Sequence, residues 1–275
     1  MAVASVDWRQ RVSGGLIGLL VGDALGVPYE FHPPESIPLA DLIEYTPPPG
    51  FNRAHVGVPP GTWSDDGAQA LILLDSLLAC DGLDLAHFAC GLRRWLSEGF
   101  HAVNRSVFDI GVQTSTALNR LGMGVPPESS GPSEERNNGN GSLMRVLPLA
   151  LWHRGDDREL MELAARQSLP THGHPRAQVA CALYCLWARA ILQQDSEPWA
   201  SAVNRLWEHG GLELFPETEV QRVLDSNNSA SARGSGYVLD TLWSAKLAVE
   251  GTTSFEACVR RAITFGNDTD TTAAV

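Results

Sequence analysis

Two short stretches of the chain each combine two carboxylates with a hydroxyl group, and each comes just before an apolar, helix-like run. The first is Ser64-Asp65-Asp66, and the second is Asp268-Thr269-Asp270-Thr271 near the end of the 275-residue chain. Such oxygen ligands suit hard cations such as Mg²⁺, Mn²⁺ or Ca²⁺ better than zinc. If the fold brings the stretches face to face, the carboxylates repel each other unless cations lie between them. A pair of ions about 3.5–4 Å apart could be held in this way.

The same residues also have a purely structural interpretation. Ser64 is a good helix N-cap, and the aspartates of either stretch favour the positive end of a helix dipole. This interpretation is sufficient for either stretch alone. Because the pattern occurs twice, the metal-site hypothesis gains weight.

Three further motifs could contact a ligand. Small residues at positions 137–145 lead into a helix expected to start near Ser142, whose N–H groups could hold a phosphate, although an ordinary Asn/Gly loop has the same composition. His172 has no cysteine or third histidine at ligand spacing, so a polar contact to a ligand is a better interpretation than zinc binding. Tyr237 begins a helical pattern and could stack on a base or pack in the core.

The first helix and the loop after it must position part of this chemistry. Gly14, Gly18, Gly22 and Gly26 recur every four residues and form a smooth ridge that lets another backbone approach closely. Asp23 and Glu30 lie near the C-terminal end of this helix, where a carboxylate is unfavourable to the dipole and therefore suggests a function. Residues 31–60 are rich in proline and predict a long surface loop, a plausible movable lid carrying Glu30.

Apolar residues with a 3.6-residue period predict that the rest of the chain is helical. Alternating strand patterns are almost absent, and no repeat of fixed period occurs. We therefore expect an all-α, single-domain helical bundle over residues 1–275. The predicted helices cover residues 8–25, 65–80, 85–96, 107–121, 142–153, 159–167, 176–192, 198–207, 237–249 and 255–263, with a loop at 122–137.

Composition restricts the function. The net charge of -12 argues against general nucleic-acid or anionic-membrane binding. Residues 1–7 lack the features of a targeting segment, and the apolar stretch 12–27, interrupted by Asp23, is too short and polar to span a membrane. A cytoplasmic protein is the expectation. The five cysteines show no metal-type spacing and are expected to be reduced, buried thiols.

Taken together, the motifs resemble the ADP-ribosylglycohydrolase family over essentially the whole chain. Six motifs follow in the family's order, which is far more specific than any one of them. They are Gly14-Gly15-Leu16-Ile17-Gly18 with Gly22-Asp23-Ala24-Leu25-Gly26 and Glu30-Phe31, then Trp63-Ser64-Asp65-Asp66, Gly139-Asn140-Gly141-Ser142-Leu143-Met144-Arg145, Thr171-His172, Gly236-Tyr237-Val238-Leu239-Asp240-Thr241-Leu242 and Gly266-Asn267-Asp268-Thr269-Asp270-Thr271.

The resemblance implies an orthogonal helical bundle with two Mg²⁺ or Mn²⁺ ions. It assigns His172 and Tyr237 to the ribose and adenine parts of the pocket. The implied metal ligands are Ser64, Asp65, Asp66, Asp268, Asp270 and Thr271. The implied diphosphate loop contains Gly139, Asn140, Gly141, Ser142, Leu143 and Met144. The implied catalytic carboxylates are Glu30, Asp65, Asp66 and Asp109, the last matching an aspartate proposed as an acid/base in some members.

The implied reaction is hydrolysis of the bond between C1 of the terminal ribose and a protein side chain, with the arginine N-glycosidic linkage favoured and ADP-ribose released. One alternative is a hydrolase of serine-linked or small-molecule ADP-ribosyl substrates. Another is a catalytically silent ADP-ribose-binding or lens-protein-like relative, although none of the acidic ligands is lost. We expect a monomer that binds neither nucleic acids nor membranes.

Two features depart from the family's pattern. Val112 stands just after Asp109-Ile110-Gly111, where asparagine is common in the family, and this could alter substrate contacts. Family members usually continue well beyond the last acidic motif, whereas this chain ends at Val275. We therefore expect a last helix of barely two turns that depends on packing for its stability.

Overall fold

The computed structural model describes residues 7–275, and within this range it contains helices and no β-strand. The all-α expectation is confirmed. The predicted lack of a targeting segment concerns residues 1–7, of which 1–6 lie outside the described range. The α-helices are α1 (Trp8–Gly26), α2 (Asp65–Cys80), α3 (Leu85–Glu98), α4 (Val112–Gly122), α5 (Pro127–Ser130), α6 (Leu147–Trp152), α7 (Asp157–Ser168), α8 (Pro175–Gln193), α9 (Pro198–Glu208), α10 (Gly211–Leu214), α11 (Glu217–Leu224), α12 (Asn227–Ser231), α13 (Val238–Glu250), α14 (Phe255–Ile263) and α15 (Thr269–Ala274).

Two predicted helices begin later than expected. The pattern at 107–121 starts only with α4 because Asp109 has a φ of 51°, in the left-handed region, which a right-handed helix cannot include. The pattern at 142–153 starts only with α6, which has Pro148 in its first turn. A proline deeper in the helix would clash with the carbonyl group of Met144, so the helix cannot extend back to Ser142. Four short helices, each of eight residues or fewer, were not predicted from the sequence, namely α5, α10, α11 and α12.

The main core surrounds α8, most of whose residues are buried between α7, α9 and α13. Trp199 packs edge-on against Trp187 and Trp243, with ring centroids 5.3 and 5.2 Å apart. Such pairs stabilise a fold by about 0.5–1.5 kcal/mol each beyond the area that they bury. This core fixes α13 and α2, whose N-terminal ends reach the loops described below.

The glycine ridge of α1 receives the last helix. A Cβ atom on Gly22 would lie 2.0 Å from the carbonyl oxygen of Ala273, and one on Gly26 would lie 2.3 Å from the Cα atom of Asp270. The predicted close approach of a second backbone therefore occurs at these two glycines. At Gly14 a Cβ atom would meet nothing within 4 Å, and at Gly18 it would meet only the side chain of Phe255, so another backbone approaches the ridge only in its C-terminal half.

Among the described residues, one helical segment, Trp8–Tyr29, is both long enough and apolar enough to cross a membrane. Of its most apolar 18-residue stretch, 44% is buried in the fold. The sequence analysis excluded such a span, but the 3₁₀ turn Val27–Tyr29 lengthens the helical segment. Length and composition do not distinguish a span from a core helix. In this fold the segment packs against α15 and α6.

The proline-rich loop has little regular structure, as predicted, and contains only the 3₁₀ turns Pro34–Ser36 and Ala40–Leu42. One point of this loop is fixed to the core. The Tyr29 hydroxyl donates to the carbonyl oxygen of Glu44 at 2.8 Å and accepts from its N–H at 2.9 Å, and the neighbouring Ile43 is fully buried. The loop is therefore anchored in its middle.

The cysteines are all free thiols, but the expectation that all five are buried is wrong. Cys181 and Cys185 are buried in α8, whereas Cys258 is half-buried. Cys80 and Cys90 are exposed, because Cys80 is the last residue of α2 and Cys90 lies on the solvent side of α3.

Candidate metal and substrate site

The hydrogen bonds of Asp23 to the start of α2 explain why a carboxylate lies near the end of α1. Its fully buried carboxylate accepts hydrogen bonds from the N–H of Ser64, at 2.8 and 3.0 Å, and from the N–H of Gly67 at 2.7 Å. These N–H groups belong to the start of α2 and have no partner within the helix. Burial raises the pKa of Asp23 to about 7, opposed by these N–H groups. Asp23 therefore fixes the first acidic stretch in place.

The two acidic stretches lie side by side at Asp66. Its Oδ2 atom accepts from the Ser64 hydroxyl at 3.2 Å and from the Thr271 hydroxyl at 3.4 Å. Ser64 also acts as the N-cap of α2, since its hydroxyl accepts from the N–H of Asp66. The capping interpretation and the metal-site interpretation of Ser64 are therefore compatible.

Two carboxylate oxygens in this cluster are buried without a hydrogen-bond partner among residues 7–275, namely Asp66 Oδ1 and Asp270 Oδ2. Buried polar atoms normally have a partner, so these two oxygens are suited to bind a cation. Ligand atoms of Glu30, Asp268 and Asp270 lie within 4.8 Å of one another and could hold a metal ion. An all-oxygen donor set of this kind fits a hard divalent cation.

Electrostatics supports the same conclusion. The pKa values of Asp65, Asp66, Asp270 and Glu30 are all raised well above the ordinary range. Burial is the largest cause in each case, and the repulsion of neighbouring carboxylates adds to it. A bound cation would relieve this repulsion. The sequence analysis assigned Glu30 to catalysis, whereas the geometry also places it in a group able to hold a cation.

His55, which the sequence analysis did not identify, contacts Glu30 through Nε2 to Oε2. Its ring packs against Phe31 and Phe108, with centroids 5.4 and 5.1 Å away. Asp109 is the residue after Phe108, and its pKa is raised to about 6 by burial and by the charge of Asp268. The prolines marked the loop that carries His55, but no local signal marked His55 itself.

A cavity of about 460 Å³ opens beside the acidic cluster. Ser142 and Leu143 lie fully buried beneath it, and Ser64, Asp66 and Asp270 lie behind its wall. The predicted site residues that line it are Glu30, Asp65, Asp109, Gly139, Asn140, Gly141, Met144, His172, Asp268 and Thr271.

The loop at residues 139–144 forms one wall through turns and not through a helix start, which corrects the expectation for Ser142. The Asn140 side chain donates to Asp268 Oδ2 at 2.8 Å and to the Thr241 hydroxyl at 2.9 Å, so it connects this loop to the acidic cluster. The backbone N–H groups of Gly141 and Ser142 have no acceptor among the described residues. Gly141 lines the cavity, so its N–H is available to bind an anion, whereas Ser142 is fully buried beneath the cavity.

His172 and Gln113 both contact the loop at residues 139–144. A Cβ atom on Gly141 would lie 2.8 Å from the His172 ring, so only glycine fits there. Burial and the charge of Arg145 lower the pKa of His172 to about 3, so the ring is neutral. Gln113, which the sequence analysis missed, accepts from the N–H of Gly139 and donates to the carbonyl oxygen of Thr171.

Tyr237 is the N-cap of α13 and lines an adjoining cavity of about 640 Å³. The two cavities share Val112, Gln113, Gly139 and Gly236. The Tyr237 hydroxyl accepts from Arg176 at 3.2 Å, and 38% of the residue is exposed. Tyr237 therefore presents its ring beside the acidic cavity and not within it.

The chain is similar to known proteins over nearly its whole length. A family model described as ADP-ribosylglycohydrolase matches residues 4–275. A solved structure described as an ADP-ribosylglycohydrolase-related protein complex superposes with a TM-score of 0.75 and 30% identity, covering 98% of this chain and 85% of the other.

Curated relatives give the same result. The ADP-ribosylarginine hydrolase of Pseudomonas putida is 32% identical over 269 residues, which is 96% of this chain and 68% of the relative. The ADP-ribosylarginine hydrolase of Serratia proteamaculans is 28% identical over 96% of this chain and 69% of its own length. The ADP-ribosyl-[dinitrogen reductase] glycohydrolase of Rhodospirillum rubrum is 28% identical over 97% of this chain and 83% of its own length.

Proposed function

Because this chain belongs to the ADP-ribosylglycohydrolase family and is an enzyme of that class, we propose that it hydrolyses the bond between C1 of the terminal ribose and a protein side chain. The products are ADP-ribose and the unmodified side chain. Two relatives are named ADP-ribosylarginine hydrolases, and this favours the arginine N-glycosidic linkage. A cytoplasmic location and a monomeric state stay predictions.

The observation that carries this proposal is the junction of the two acidic stretches at Asp66, with two buried, unpartnered carboxylate oxygens behind the wall of the cavity. Two Mg²⁺ or Mn²⁺ ions at this junction would orient the ribose hydroxyls and stabilise the charge that develops on the sugar. The proposed ligands are Ser64, Asp65, Asp66, Asp268, Asp270 and Thr271.

Two carboxylates outside the proposed ligand set perform the proton transfers. Glu30, held by His55, accepts a proton from the attacking water as the bond between its oxygen and C1 forms. Asp109, whose pKa of about 6 keeps part of its population protonated near neutral pH, donates a proton to the leaving nitrogen as its bond to C1 breaks. The transition state has oxocarbenium character at C1.

The remaining cavity walls bind the rest of the substrate. The free N–H group of Gly141 donates to the diphosphate, and the neutral His172 contacts the ribose. The adenine then extends toward the adjoining cavity, where Tyr237 offers an aromatic face. This order places the scissile bond beside the acidic cluster.

Hydrolysis of a substrate panel tests the proposal. The panel contains an ADP-ribosyl-arginine peptide, an ADP-ribosyl-serine peptide and O-acetyl-ADP-ribose, each with EDTA, Mg²⁺ or Mn²⁺. We expect cation-dependent release of ADP-ribose, fastest from the arginine peptide. Asp65→Asn and Asp268→Asn should abolish it, whereas the matched control Asp75→Asn, an exposed residue of the same helix as Asp65, should not.

Each outcome has a definite meaning. Full activity in EDTA, or in Asp268→Asn, would contradict the metal site. Faster hydrolysis of the serine peptide or of O-acetyl-ADP-ribose would correct the linkage. Tight binding of ADP-ribose without turnover of any member of the panel would show a catalytically silent binding protein.

A further inference from the structure

Arg145 is a fully buried cation with no carboxylate within ion-pair distance among the described residues. Its N–H groups donate to Gln69 Oε1 at 2.9 Å, to Gln167 Oε1 at 3.2 Å and to the Gln167 carbonyl oxygen at 2.9 Å. The guanidinium also lies 5.0 Å from the ring centroid of Phe88. Removing an ion from water costs several kcal/mol, so a buried, unpaired guanidinium calls for a compensating role.

The bond from Arg145 fixes the orientation of Gln69. A guanidinium has only donors, so Gln69 must turn its oxygen toward Arg145. The amide nitrogen then faces the other way, where it donates to Asp65 Oδ2 at 3.1 Å. Gln69 is four residues after Asp65 on α2, so the two side chains lie on the same face of the helix. The donors of Arg145 therefore determine which way the oxygen and the nitrogen of the Gln69 amide point.

Asp65 has one oxygen held by this chain of bonds, and the residue also lines the cavity beside the acidic cluster. A carboxylate that is free to rotate must be ordered when a cation binds, whereas one held by a fixed donor is ordered beforehand. The positive charge of Arg145 is separated from Asp65 by one side chain, and the two charges attract each other, since Asp65 raises the pKa of Arg145 against the larger effect of burial.

We propose that Arg145 and Gln69 are positioning residues that orient Asp65 for cation binding, an inference that rests on the metal site of the proposed function. Gln69 connects the guanidinium of Arg145 to the carboxylate of Asp65. Neither Arg145 nor Gln69 lines the substrate cavity. Their effect is on the affinity for the cation and on the geometry of its site, not on a proton transfer.

The chain offers a matched pair of variants. Gln69 and Gln167 are both fully buried, and both accept from Arg145, but only Gln69 donates to Asp65. Gln69→Met and Gln167→Met each remove one amide acceptor from Arg145. Gln167→Met also removes donors to the carbonyl oxygens of Ser142 and Ala164, so it disturbs the surrounding structure more and is a stringent control. Mn²⁺ binding is measured by calorimetry and by the electron paramagnetic resonance spectrum of the bound ion, without substrate and at a temperature where circular dichroism shows both variants folded.

We expect Gln69→Met to weaken Mn²⁺ binding by about 10–100-fold and to broaden the spectrum of the bound ion, because loss of an outer hydrogen-bond partner typically has this effect. Gln167→Met should bind Mn²⁺ as the parent protein does. Equal affinity of Gln69→Met and the parent protein, or an equal loss in both variants, would overturn the inference.

Failure of the inference and failure of the proposed function are distinguishable. If the parent protein binds no Mn²⁺, the metal site itself is wrong. If Gln69→Met does not fold, Gln69→Asn replaces it, since its amide is one methylene too short to reach Arg145 and Asp65 together. Parent-like Mn²⁺ affinity in Gln69→Asn would equally overturn the inference.

Discussion

Replacing Gly22 with alanine tests whether the contact between α1 and α15 positions the acidic cluster. The new Cβ atom would lie 2.0 Å from the carbonyl oxygen of Ala273, whereas ordinary contact begins at 3.4 Å. The neighbour is backbone and cannot rotate away, so α15 must move by about 1.4 Å relative to α1. Asp268 and Asp270 belong to the moved segment and would leave Asp66.

Gly14→Ala is the matched control on the same helix, because its Cβ atom would meet nothing within 4 Å. In a helix interior, alanine is more stable than glycine by about 0.5–1 kcal/mol, and this gain applies to both variants. Overpacking costs about 1–3 kcal/mol and applies only to Gly22→Ala. At about 2–4 °C per kcal/mol, the melting temperatures should differ by roughly 2–12 °C, with Gly14→Ala the higher.

Function should respond more strongly than stability. A displacement of about 1 Å in a catalytic site can reduce turnover by about 100-fold. We therefore expect Gly22→Ala to lose Mn²⁺ affinity and ADP-ribose release, and Gly14→Ala to keep both, as measured by calorimetry and by the peptide assay. If the two variants have the same melting temperature and the same turnover, the contact between α1 and α15 does not position the cluster.

Three further outcomes are expected. Without cations, the free energy of unfolding should fall as the pH rises from about 4 to about 7. Asp23 and Asp109 bind protons more tightly in the native state, because their pKa values are raised there to about 7 and about 6. Urea titrations in EDTA measure this fall, and Mn²⁺ should reduce it. His55→Phe should keep the aromatic contacts but lower kcat by about 10–100-fold, because Glu30 loses its partner; unchanged kcat would contradict the assigned role. Asn140→Leu should lower the free energy of unfolding by about 1–3 kcal/mol, because Asp268 and Thr241 lose a donor; chemical denaturation measures the change.

The acidic stretches could be predicted from the sequence because their signal is local. Ser64, Asp65 and Asp66 are consecutive, and the helix that they begin has a clear apolar period, so both the residue types and the start of α2 were visible. Their contact with Thr271 joins positions 205 residues apart, and no local pattern encodes it. The glycine ridge indicated that a backbone would approach α1 but did not indicate which one.

Other features could not be predicted because tertiary contacts determine them. The loop before α6 has a composition compatible with a helix start, and Pro148 decides against it only through its steric effect on the preceding turn. His55 and Gln69 are ordinary residues in their local context, and their roles come from partners 25 and 76 residues away. Asp23 is unfavourable to the dipole of its own helix, α1, and its hydrogen-bond partners lie at the start of α2, which no local pattern indicates.

The buried carboxylates are surrounded by contacts that keep them close together. Without a cation, burial and the repulsion of neighbouring carboxylates raise the pKa values of Asp65, Asp66 and Asp270, and they also favour a relaxation of the loops that would separate these groups. The backbone contact at Gly26, the bonds from Asp23 to α2 and the bond from Asn140 to Asp268 oppose that relaxation. Because these contacts keep the cluster together, the ligands are ordered before a cation binds, and a bound cation would replace the protons on the carboxyl groups. A looser scaffold would hold the same ligands but bind the cation more weakly.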